Sequence, residues 1–104
     1  MRILIAEDDF TSRTILAAVL KKQGHEVMAM VNGAEAWDAM QQSGAPKLAI
    51  LDWVMPEIDG IEVCRRVRTM ETDEQPYIIM LTSRGEKADI IAGKIIVPDY
   101  YKKQ

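Results

Sequence analysis

A chain of 104 residues, 48% hydrophobic and 28% charged with a net charge of −3, is expected to fold as one globular domain over residues 1–104. The slight acidic balance gives no clustered basic face, so direct nucleic-acid binding is not expected. The apolar runs are far shorter than the roughly 20 residues that cross a bilayer, so no membrane span is expected either. Cys64 is the single cysteine, which rules out an internal disulfide and fits a reducing cytoplasm. Met1-Arg2 runs straight into an apolar segment, leaving no room for a signal peptide.

In chain order, Ile3-Leu4-Ile5-Ala6 is a compact apolar run and reads as a first strand. Thr11 to Lys22 follows with Ile15, Leu16, Val19 and Leu20 at helical spacing, and Gly24 stops it. His25 to Val31 reads as a second strand. Asn32-Gly33-Ala34-Glu35 has the form of a capping box, and Ala36, Trp37 and Met40 mark the inner face of the helix it opens. Ser43 to Pro46 breaks that helix, and Leu48 to Leu51 is the third strand. Ile61, Cys64 and Val67 outline a third helix from Ile61 to Met70. Glu71 to Pro76 leads to the fourth strand, Tyr77 to Leu81. Ser83 to Glu86 is a second capping-box pattern and predicts a fourth helix running through Ile90 and Ile91. Ile95 to Val97 reads as a fifth strand, with Pro98 directly after it.

Strands and helices in alternation imply βαβ units and a doubly wound α/β fold with a parallel sheet. The near-continuous apolar strands agree, because parallel strands are covered on both faces. In such sheets ligands bind beyond the carboxyl ends of the strands. The residues at those ends are Glu7-Asp8-Asp9 after the first strand, Asp52 after the third, and Thr82-Ser83 after the fourth. Carboxylates forced together resist ionisation unless a cation intervenes. An all-oxygen set without His or Cys selects a hard cation such as Mg²⁺. Asp52 is then either a metal ligand or a nucleophile, since aspartate can carry a phosphoryl group.

Each piece also has a plainer explanation. Glu7-Asp8-Asp9 can be a solvated loop favouring the next helix N-terminus, Thr82 can be a cap, and Asp59-Gly60 reads as a turn before the third helix. His25 reads as a surface residue, and the methionines and Cys64 as filler. What favours chemistry is the meeting of acidic and hydroxyl residues at one sheet edge. No Ser or Cys partners His25 there, which excludes a catalytic triad, and no phosphate-binding glycine loop is present.

The stretches "ILIAEDDFTSR", "LAILDWVMPEIDGIEVCRRVR" and "IIMLTSRGEKADIIAG" strongly resemble the receiver domains of two-component response regulators, over residues 2–93. The resemblance implies a flavodoxin-like, five-stranded parallel sheet in the order 2-1-3-4-5, as in chemotaxis regulators. It implies that Asp52 is the phosphoacceptor and that Glu7, Asp8, Asp52 and the backbone carbonyl of Val54 hold Mg²⁺, or alternatively Mn²⁺. Asp9 is peripheral on this alignment. Thr82 corresponds to the switch hydroxyl, and Val54 and Arg84 to the side chains that tune dephosphorylation. The implied partners are a histidine kinase or phosphotransfer protein and an output domain or effector, in the cytoplasm. Such a protein is a signalling phosphoacceptor rather than an enzyme.

The tail "KIIVPDYYKKQ" departs from the family pattern. It lacks the Gly-Ala turn and the Lys-Pro, and it stops before a final helix. A gap-free alignment puts Tyr101 at the aromatic switch and Gln104 at the lysine position. Shortening by one residue gives Tyr100 and Lys103 and keeps an acidic residue before the Tyr, and this second alignment is preferred. Without the last helix, one sheet face and the flank of the first helix are expected to be bare, which predicts a dimer or a domain swap. Two other functions remain open: a receiver-like binding module that is not phosphorylated, and a Mg²⁺-dependent phosphatase with an aspartyl-phosphate intermediate. The phosphatase is disfavoured because Val54 stands where that class places its second Asp.

Overall fold

The computed structural model describes residues 1–82, with residue 82 as backbone only, and the backbone of two further strands at 90–91 and 94–98. The elements are β1 (Arg2–Ala6), α1 (Phe10–Lys22), β2 (Glu26–Met30), α2 (Gly33–Met40), β3 (Leu48–Asp52), α3 (Gly60–Arg68), β4 (Tyr77–Thr82), β5 (Ile90–Ile91) and β6 (Lys94–Pro98). They form one six-stranded sheet in the order β2-β1-β3-β4-β6-β5. The β2-β1-β3-β4 part is parallel throughout, as the alternation of strands and helices requires.

Side chains alternate across the sheet with a period of two, and the core therefore divides in two. Leu4, Ala6, Ala49, Leu51, Ile78 and Met80 face α2 and α3, where they meet Ala36, Met40, Val63, Cys64 and Val67. Ile3, Ile5, Ile50 and Leu81 face the other way, towards Leu16 of α1. That second side is thinner. Leu16 is the one buried residue of α1, while Ile15 and Val19 are 49% and 48% exposed. Among the described residues, this face of the sheet is only partly covered.

Each helix starts on a side-chain cap, which satisfies amide donors that have no partner inside the helix. Asp9 accepts from Ser12 N at 2.8 Å, Asn32 from Glu35 N at 2.8 Å and Asp59 from Glu62 N at 2.8 Å. Glu35 completes the expected reciprocal cap, although it reaches Val31 N (3.1 Å) rather than the amide of Asn32.

The sheet departs from expectation beyond β4. Its next neighbour is β6, the strand anticipated around Ile95 to Val97, but it runs antiparallel to β4, with Leu81 opposite Ile96. Ile90 and Ile91, anticipated as the end of a fourth helix, form β5 and pair with β6. A parallel neighbour needs a crossover of a dozen residues or more, whereas an antiparallel one needs only a reversal. Eleven residues separate Thr82 from Lys94, fewer than such a crossover takes. The rest of the anticipated fourth helix, from Ser83 to Asp89, lies outside the described residues.

Candidate phosphoacceptor and metal site

The carboxyl ends of β1 and β3 lie side by side because these strands pair in register, with Ala6 opposite Leu51. Glu7 and Asp8 leave the end of β1, and Asp52 is the last residue of β3. One carboxylate oxygen from each of Glu7, Asp8 and Asp52 falls within 4.8 Å of the others. Glu7 and Asp52 are 1% and 2% exposed, and they are the two buried charged residues among those described. Asp8 faces solvent.

The backbone around this cluster is fixed by hydrogen bonds across the strand ends. Glu7 N donates to Met30 O at 3.2 Å, tying the end of β1 to β2. Trp53 N donates to Leu81 O at 2.7 Å, tying β3 to β4. Glu7 Oε2 accepts from Asp9 N at 3.0 Å. Arg13 reaches back from α1 and donates through Nη1 to the carbonyl oxygens of Glu7 (2.8 Å) and Asp8 (3.3 Å). Its guanidinium also lies 5.6 Å from the ring centroid of Phe10.

The β3–α3 loop is held by two glycines. Gly60 N donates to Trp53 O at 3.0 Å, and a Cβ on Gly60 would fall 2.1 Å from the carbonyl oxygen of Asp52. A Cβ on Gly33, the first residue of α2, would fall 1.8 Å from Ile58 O. Side chains larger than hydrogen are therefore excluded at both points. Between them Met55 is buried and Val54 is 55% exposed. Glu57 adopts φ 69°, a left-handed conformation unusual for a residue with a Cβ.

The structure thus brings Glu7, Asp8 and Asp52 together, as anticipated. Thr82 ends β4 one residue past Leu81, which pairs with Asp52, so its backbone lies at the same edge. Its side chain, and Arg84, Tyr100, Lys103 and Gln104, lie outside the described residues. Sequence reasoning missed the supporting roles of Gly60, Gly33 and Arg13. The Asp-Gly pair at 59–60 was visible, but it signals a turn and not a close approach to a distant carbonyl.

Three clustered carboxylates, two of them buried, repel one another and call for a cation. A pure oxygen set at a partly open site suits a hard divalent ion that keeps some of its water. The residues present fit such an ion.

A parallel α/β sheet with this acidic cluster at its carboxyl edge is the arrangement expected of a receiver domain. The family described as response regulator receiver domain matches residues 3–100, and the chain belongs to that family. It is similar to the chemotaxis protein CheY homolog of Campylobacter jejuni, at 38% identity over 94 residues, covering 89% of this chain and 72% of the relative. It is also similar to the phosphate regulon transcriptional regulatory protein PhoB of Rhizobium meliloti, at 38% identity over 100 residues; there it spans 96% of this chain but only 44% of the relative. Among solved structures it resembles the response regulator protein TrrA from Thermotoga maritima in complex with Mg(2+)-BeF, with a TM-score of 0.71 and 35% identity over 80% of this chain and 70% of that one. Receiver domains are the phosphoacceptor modules of two-component signalling. No helix among the described residues is long and apolar enough to cross a membrane.

Proposed function

We propose that Asp52 accepts a phosphoryl group from a histidine kinase or phosphotransfer protein, and that the change is read by an output domain or effector. The observation that carries this reading is the gathering of Glu7, Asp8 and Asp52 within 4.8 Å at the carboxyl edge of the sheet. A carboxylate oxygen of Asp52 attacks phosphorus. The bond from phosphorus to the donor's histidine nitrogen breaks, and that nitrogen keeps the electron pair. Glu7, Asp8, Asp52 and the Val54 carbonyl would hold Mg²⁺, with Mn²⁺ as a substitute. When bound there, the ion offsets charge on the phosphoryl oxygens.

Within this reading the chain's residues divide the work. Glu7 and Asp52 are fixed by burial and by the strand ends, so the nucleophile is positioned before the donor arrives. Gly60 and the Trp53 carbonyl hold the loop that carries Val54. Thr82 supplies the hydroxyl that closes on the phosphoryl group, Lys103 contacts its oxygens, and Tyr100 reports the change to the surface. Val54 and Arg84 set the lifetime of the phosphorylated state. Cys64 is buried and outside any disulfide, which is compatible with a cytoplasmic protein.

The test is addition of Mg²⁺ with acetyl phosphate or beryllofluoride, followed by Trp53 fluorescence and intact mass. A fluorescence change with either reagent, and a mass gain of one phosphoryl group with acetyl phosphate, both absent in Asp52→Asn, support the reading. No mass gain and no fluorescence change in the parent would leave a receiver-like binding module. Turnover of a separate phosphoester would indicate a phosphatase.

A further inference from the structure

A second surface lies on the opposite face of the sheet from α2 and α3. A groove of about 560 Å³ runs between α1 and the sheet, walled by Leu16 and Leu20 on one side and by Ile3, Ile50, Ile79 and Leu81 on the other. Its lip is formed by Ile15 and Val19, one helical turn apart on α1 and each about half exposed. No described residue covers it. Apolar surface of this kind, continuous with the core, marks an association site.

We propose that its occupant is a second copy of this chain, with the two α1 helices packed antiparallel about a two-fold axis. Each copy then leans its Ile15 and Val19 into the groove of the other, so the same patch serves both partners. Charge selects this arrangement. The N-terminal end of α1 carries exposed Asp8 and Asp9, and the C-terminal end carries exposed Lys21 and Lys22. Antiparallel packing sets the lysines of one copy against the aspartates of the other, twice by symmetry, and opposes the two helix dipoles. A parallel pair would set lysine against lysine. The 13 residues of α1 rise by roughly 20 Å, which leaves room for the apolar lip between the two charged ends. Dimerisation does not require phosphoryl transfer, because Asp52 lies outside the groove, although the charged rim takes in Asp8 of the acidic cluster.

Sedimentation equilibrium of the full chain, from micromolar to submillimolar concentration, tests this. A dimer is expected, and Val19→Lys should weaken it at least tenfold with an unchanged circular dichroism spectrum, since Val19 is half exposed and lysine favours helix. The double change Lys21→Glu and Lys22→Glu, or added salt, should also weaken it severalfold. Asp52→Asn should leave it intact. A monomer at all concentrations overturns the proposal, including the case in which residues after Thr82 cover the groove. A dimer indifferent to Val19→Lys uses another surface and overturns it as well. A dimer that responds to Val19→Lys but to neither the lysine reversal nor salt overturns the antiparallel arrangement.

Discussion

Gly60 sits so close to Asp52 that a Cβ on the glycine would lie 2.1 Å from the aspartate's carbonyl oxygen. The first turn of α3 is thereby pressed against the end of β3. Gly60→Ala must push the two apart, at a cost of about 1–3 kcal/mol by analogy with overpacked cores. We expect a lower thermal midpoint together with weaker Mg²⁺ binding, because the displaced atom belongs to the residue that carries the carboxylate. Calorimetry and a metal titration on the same sample would check both. Unchanged metal affinity in a destabilised protein would separate the glycine from the site.

The buried acidic cluster makes a second prediction about stability. Glu7 and Asp52 are charged groups held together away from water, so without a divalent cation they oppose folding. Asp52→Asn removes one charge and should raise the thermal midpoint in the presence of a chelator. At an Mg²⁺ concentration about a hundredfold above the Kd, the parent should gain about 2.7 kcal/mol, and Asp52→Asn should gain much less. Equal gains in both would show that the ion binds elsewhere.

Glu57 holds φ 69° in the β3–α3 loop with its side chain in solvent. A left-handed residue with a Cβ costs about 1–2 kcal/mol, and glycine avoids this while losing part of the gain through its freer unfolded chain. Glu57→Gly should therefore stabilise the protein by about 0.5–1 kcal/mol, measured by urea unfolding. Destabilisation would mean that the carboxylate itself holds the loop.

Val54 stands two residues past Asp52 with its side chain 55% exposed. A valine has no group that could orient a water towards phosphorus, whereas an amide has. Val54→Asn should shorten the lifetime of the phosphorylated protein, followed as release of inorganic phosphate. Equal release rates in parent and variant would remove Val54 from any tuning role.

Much of this was legible in the residues. The parallel sheet followed from apolar strands without alternation, and the meeting of Glu7, Asp8 and Asp52 followed from where those strands end. The roles of Gly33 and Gly60 were not legible, because they depend on carbonyl groups brought near only by tertiary packing. Ile90 and Ile91 were misassigned to a helix for another reason. Two apolar residues beside a capping-box pattern fit either structure, and pairing with β6 decided for strand. The antiparallel course of β6 depends on connection length, which apolar patterning does not encode.

The pairing of β1 with β3 has a consequence for how the protein assembles. Glu7 and Asp52 are neighbours only because β1 skips over α1, β2 and α2 to find its partner, so the pair closes a long loop. No fragment ending before β3 contains the cluster, and one lacking β1 contains only Asp52. Metal affinity is then a property of the closed chain as a whole. In a denaturant titration it should vanish in step with the global unfolding transition, which makes the ion a reporter of when the centre of the sheet has formed.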